Sequence, residues 1–118
     1  MSLNITSITI NTADLEPMLS FYSGLGLCFE QVKVSKGSSV HKSQVNGIEF
    51  SIFEITQVAR KSAPSLQLSF QVCDVKEMVT KLLTIPHVMC VLDPIELEGT
   101  MKAIMIDPDG HSVELIES

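Results

Sequence analysis

The feature that most constrains this chain is an internal repeat. Ser7-Ile8-Thr9-Ile10-Asn11-Thr12-Ala13-Asp14-Leu15 has the same form as Gln67-Leu68-Ser69-Phe70-Gln71-Val72-Cys73-Asp74-Val75, 60 positions later. Both segments alternate polar and apolar residues and then run into Asp. Period-two alternation marks a half-buried strand, and Asp ahead of an apolar-periodic run marks a helix N-cap. Each half therefore opens strand, then helix. A chain built twice from one unit must fold as two similar modules, which removes most other topologies.

The apolar sets Leu15, Met18, Leu19, Tyr22 and Val75, Met78, Val79, Leu82 fall at helical spacing. Pro17 is tolerated in the first turn, where its missing N–H needs no partner; Gly24 and Gly26 end the first helix and Pro86 follows the second. Three strands complete each half. In the first they are read at Cys28 to Val34, Val40 to Val45 and Ile48 to Ile55, with Asn46-Gly47 as a hairpin signal. In the second they are read at Val88 to Leu92, Met101 to Asp107 and Ser112 to Ile116, with Asp107-Pro108-Asp109-Gly110 as the turn. Ser35 to Ser39 and Ile95 to Gly99 read as loops, and Thr56 to Ser65 as a linker inside one domain. At 118 residues a second independent core would lack sequence, so the expectation is a single α+β domain with βαβββ modules at about 4–56 and 64–118.

Composition narrows the partners. Apolar residues are 45% of the chain and charged residues 19%, so some apolar surface is expected to be covered by a second copy in a homodimer. A net charge of −6 without a Lys/Arg cluster argues against nucleic acid. No apolar run is long enough to span a bilayer and MSLNITSITI does not read as a signal, which points away from a membrane and toward the cytoplasm. Cys28, Cys73 and Cys90 show no paired spacing and are expected to be small buried residues.

The duplicated unit, together with Phe21-Tyr22-Ser23-Gly24-Leu25-Gly26-Leu27 and the terminal Asp107-Pro108-Asp109-Gly110-His111-Ser112-Val113-Glu114-Leu115, resembles the vicinal oxygen chelate superfamily of glyoxalases, bleomycin-resistance proteins and dioxygenases. The likeness spans nearly the whole chain and rests most on the terminal segment. It implies two modules curling into an incomplete barrel around a cleft, with the lactoylglutathione lyase-like single-domain members as the nearest pattern.

Alternation assigns faces without the family: Ser7, Thr9 and Asn11 oppose an apolar set, as do Gln67, Ser69 and Gln71. Ser112 and Glu114 share the polar side in the last strand, as do Glu49, Ser51 and Phe53 between Ile48 and Ile55; a bulge there would bring in Glu54 instead. Carried onto these positions, the family's metal sites become Ser7, Glu49, Gln67 and Glu114. The resemblance implies a divalent metal on Gln67, Glu114 and Glu49, with Glu114 as the proton-moving base of a lyase or isomerase acting on vicinal oxygens. Ser7 departs from the family's usual ligand, so the metal (Mg, Mn, Ni, Co or Zn) is expected to be weakly held or absent. The alternative is a metal-free protein of the bleomycin-resistance type that binds a small molecule through Ser7, Thr9, Asn11, Ser51, Ser69 and Gln71, with Phe53 as a stacking surface. His41 supplies a nitrogen only if its strand turns that side inward. His87 reads as exposed, His111 as a partner of backbone groups in its turn, and the methionines as core or dimer-interface filler.

Overall fold

A computed structural model describes residues 3–35, 38–55 and 66–118. The element order is β1 (Ser7–Thr12), α1 (Leu15–Leu25), β2 (Glu30–Ser35), β3 (Ser38–Val45), β4 (Ile48–Glu54), β5 (Gln67–Val72), α2 (Val75–Leu82), β6 (Met89–Leu97), β7 (Thr100–Ile106) and β8 (Ser112–Glu117). The βαβββ unit occurs twice, and the chain divides into compact units Met1–Lys61 and Ser62–Ser118. The linker expected at Thr56 to Ser65 lies outside the described residues. The architecture is α+β, with two unclosed four-stranded mixed sheets ordered β1-β4-β3-β2 and β5-β8-β7-β6.

In the first unit β1 runs parallel to β4, and the β4-β3-β2 meander is antiparallel. Asn46 and Gly47 both take positive φ, 50° and 82°, as a two-residue turn joining β3 to β4 demands. That turn pins Val45 opposite Ile48 and so sets every other pair between the strands. One face carries Ile10, Phe50 and Ile52, all buried, and α1 packs on β4 with Met18, Phe21 and Tyr22 buried. The Tyr22 ring lies 5.0 Å from those of Phe21 and Phe50. Each such side chain contributes about 1.5–3 kcal/mol on burial, which is what fixes the helix to the sheet.

The second unit repeats this plan, with β5 parallel to β8 and β8-β7-β6 antiparallel. Val75, Val79 and Leu82 of α2 are buried, as are Ala103, Met105, Val113 and Leu115 of β7 and β8, on which the helix packs. The helix start is held twice. Glu77 N donates to Asp74 Oδ1 at 3.0 Å, and Val75 N donates to Glu117 Oε1 at 2.9 Å.

Asp14 makes no such cap. The N–H that Asp74 receives comes from the third helical residue, and in α1 that residue is Pro17, which has none. Asp14 N instead donates to Thr12 Oγ1 at 2.9 Å, a side chain 1% exposed.

Several local expectations are corrected. Strand β6 runs to Leu97, through most of the segment read as a loop; a turn at Glu98-Gly99, both with positive φ, then leads into β7. Asp93 and Pro94 break the alternation there, but β6 is an edge strand, where a missing N–H costs no ladder bond. The cysteines are not a buried set: Cys28 and Cys73 are exposed and Cys90 is half-buried. Burial first, and the Asp93 carboxylate second, push the Cys90 thiol up. Met18 and Met105 fill cores as expected, and Met89 is exposed on the single chain, which leaves its expected interface role untouched. No helix among the described residues is long and apolar enough to cross a membrane.

Candidate functional site

The register places each expected site residue. In the first unit Ser7 lies opposite Glu49, Thr9 opposite Ser51 and Asn11 opposite Phe53. Strand β3 continues these rows with Gln44 beside Glu49, Lys42 beside Ser51 and Val40 beside Phe53. Directly opposed residues share a face, so the six expected side chains of this unit lie together, away from α1. Glu54 pairs with Thr12, one of the buried set, and no bulge interrupts β4; it does not replace Glu49. His41 pairs with Ile52 and so lies on the helix side, not beside Glu49. Its Nδ1 is buried and has no hydrogen-bond partner among the described residues.

Lys42 was not anticipated. Its Nζ lies 3.6 Å from Glu49 Oε1, and Ser51 Oγ donates to Glu49 Oε2 at 3.4 Å. Both carboxylate oxygens are thus engaged by this unit's own side chains. The signal was available: the Asn46-Gly47 turn makes Lys42 a same-face neighbour of Ser51 once β3 is counted back from it.

In the second unit Gln67 lies opposite Ser112, Ser69 opposite Glu114 and Gln71 opposite Ile116. Ser69 Oγ donates to Glu114 Oε1 at 2.8 Å, which confirms a shared face and orients the carboxylate. Gln67 sits one row along from Glu114 on that face. The rows continue into β7 as Ile106 beside Ser112, Ile104 beside Glu114 and Lys102 beside Ile116.

The two carboxylates do not hold equivalent places. Glu49 stands opposite the first residue of β1, and Glu114 opposite the third residue of β5, so the counterpart of Glu114 in the first module is Ser51. As a metal-binding set the residues fit poorly. Ser7 offers a neutral hydroxyl, and a dication at Glu49 would have to displace or face the Lys42 ammonium. Among the described residues no three His, Cys, Asp or Glu side chains gather as a metal-binding group.

The Asp107-Pro108-Asp109-Gly110 turn is built around a buried carboxylate rather than around backbone partners of His111. Asp107 Oδ1 accepts from Asp109 N at 3.0 Å and His111 N at 2.9 Å, and His111 Nδ1 stands 2.9 Å from Oδ2. The hydrogen bond to Asp107 raises the His111 pKa, against the opposing effect of burial. His87 is exposed as expected.

The fold of this chain is similar to that of solved glyoxalase/bleomycin-resistance/dioxygenase structures. A glyoxalase/bleomycin resistance protein/dioxygenase family enzyme from Burkholderia phytofirmans matches with a TM-score of 0.75 at 15% identity, over 98% of each chain. The genomically encoded fosfomycin resistance protein of Listeria monocytogenes matches with a TM-score of 0.75 at 18% identity, over 100% of this chain and 93% of its own. A glyoxalase I mutant of Zea mays matches with a TM-score of 0.78 at 19% identity, over 95% of this chain and 46% of its own. More narrowly, residues 4–54, the first module, match the family described as lactoylglutathione lyase, putative-like, N-terminal. No curated protein matches the chain by sequence.

Proposed function

We propose that this chain is a metal-free small-molecule binding protein, nearer to the bleomycin-resistance type than to the lyases of its superfamily. The observation that carries the reading is the Lys42–Glu49–Ser51 cluster. A carboxylate already paired with an ammonium at its surface and bonded to a hydroxyl serves a hydrogen-bonding surface and is poorly placed to hold a dication. Around it stand Ser7, Thr9, Asn11 and Phe53; on the second unit Ser69, Gln71 and Gln67 accompany Glu114. These are short, neutral hydrogen-bonding groups with one aromatic face, the equipment of a binding site. The protein is taken to work in the cytoplasm, as a homodimer.

The test is elemental analysis of protein purified without chelator, then dialysis against Mg²⁺, Mn²⁺, Co²⁺, Ni²⁺ and Zn²⁺. The expected result is metal well below one equivalent per chain and no turnover of the methylglyoxal–glutathione adduct. Stoichiometric uptake that Glu114→Ala abolishes overturns the proposal. The second reading, a metal-dependent lyase acting on a small molecule with vicinal oxygens, has its support in the family matched by residues 4–54. In it Glu114 takes and returns the proton.

A further inference from the structure

The two units differ in what lies beside their polar strands. In the first, Gln44, Lys42 and Val40 of β3 continue the rows of β1 and β4, so the face stays largely polar. In the second, the rows of Ser112 and Glu114 run into Ile106 and Ile104 of β7, and from there into Met89 and Leu92 of β6. Helix α2 covers the opposite face, where Ala103 and Met105 are buried, and Met89 is 58% exposed. An apolar shelf thus adjoins a single carboxylate. That carboxylate is oriented by Ser69 through Oε1, and among the described residues no other side chain takes its Oε2, which can accept from a ligand.

From this juxtaposition we infer that the second unit binds an amphiphilic cation, a primary ammonium or similar N–H donor on an apolar body, with its head on Glu114 and its body on Ile104, Ile106, Leu92 and Met89. The inference rests on the metal-free reading above and names its ligand class. Charge decides the head group. Glu114 is the acidic side chain in these rows, and the chain carries −6 overall, which draws cations toward it. Lys102, one row from Ile104, sets the direction of the body, since the uncharged row of Ile106 and Met89 lies on the other side. A cation laid toward Met89 avoids Lys102 and covers the exposed apolar surface.

The experiment uses the isotopically labelled full chain and three probes of equal length, n-octylammonium, n-octanoate and 1-octanol, followed by amide chemical shifts below their micelle concentrations. Octylammonium is expected to bind about tenfold more tightly than octanoate and to shift the amides of Ile104, Ile106 and Glu114. Glu114→Gln weakens octylammonium about tenfold and leaves octanol within about twofold. Lys102→Gln, which disturbs no buried group, strengthens octylammonium and leaves octanol unchanged, so the inference stays testable if the Glu114 variant misfolds. Equal binding of octanoate, or shifts confined to Lys42, Glu49 and Ser51, overturns the ligand assignment and leaves the metal-free reading standing. Dimer dissociation by octylammonium in step with those shifts shows that a second copy occupies the shelf, and also overturns it. Stoichiometric metal uptake overturns the metal-free reading instead, and it is measured separately.

Discussion

Replacing Asp107 by alanine removes the acceptor around which the β7–β8 turn is built. The side chain is fully buried, and its Oδ1 receives the backbone N–H groups of Asp109 and His111 while His111 Nδ1 approaches Oδ2. Alanine leaves two backbone donors and an imidazole without that partner. Because the three bonds are only part-buried, each is taken at the ordinary net value of about 1–1.5 kcal/mol rather than that of a fully desolvated charged bond, and the loss is about 3–4.5 kcal/mol. A domain of this size has about 5–15 kcal/mol in total, so the variant stays folded but falls in Tm by about 10–15 °C. Asparagine keeps an oxygen for the two N–H groups and gives up the charge and the Oδ2 acceptor of His111, one contact of the three, so Asp107→Asn costs about a third as much. Equilibrium urea unfolding followed by circular dichroism measures both. If Asp107→Ala and Asp107→Asn lie within about 0.5 kcal/mol of wild type, the turn does not depend on its carboxylate and the reasoning fails.

The same pair makes stability pH-dependent. His111 has its folded pKa raised above the ordinary 6.5 by Asp107, so the contribution of its charged form is complete below that value and is lost as pH rises through the folded one. Wild type minus His111→Gln, measured by urea unfolding from pH 5 to 9, should show this decline; a flat difference contradicts it. Helix capping gives a paired comparison: Asp74→Ala should cost about 1 kcal/mol and Asp14→Ala close to nothing, because only Asp74 has a third-position N–H to accept. Equal losses in thermal melts would remove that distinction. Glu98 holds φ at 53°, so Glu98→Asn should stabilise the β6–β7 turn by about 0.5–1 kcal/mol; a lower midpoint in urea would show that the Glu98 side chain does something there that its backbone does not reveal.

The duplication was legible because both halves carry the same alternation into Asp, and alternation reports directly on which side of a strand is covered. It gave the strand and helix order and the polar faces holding Ser7, Thr9, Asn11, Gln67, Ser69 and Gln71. It could not give the extent of β6, because Asp93-Pro94 carries the local chemistry of a turn and only an edge position in the sheet makes it acceptable in a strand. Nor could it show that Asp14 fails as a cap, since that depends on matching the missing N–H of Pro17 to one helical position.

The harder question was where the carboxylates stand, and here residue type and periodicity run out together. Glu49 and Ser51 share a face, so alternation treats either as the partner of Glu114; only the pairing of β1 with β4 and of β5 with β8 separates them. That pairing puts a serine where the second module has Glu114, and places Glu49 in the row of Ser7, against Lys42. The first module thus carries its acid one row away and pairs it with Lys42, while in the second the acid has, among the described residues, a hydroxyl beside it and Ile104 next in line. Two modules with one backbone plan present different chemistry on the same face. Among the described residues of these faces, a ligand that recognises charge meets in Glu114 an anion with no ammonium beside it and in Glu49 one already paired with Lys42, which is why Glu114→Gln should change binding of a cation more than Glu49→Gln does.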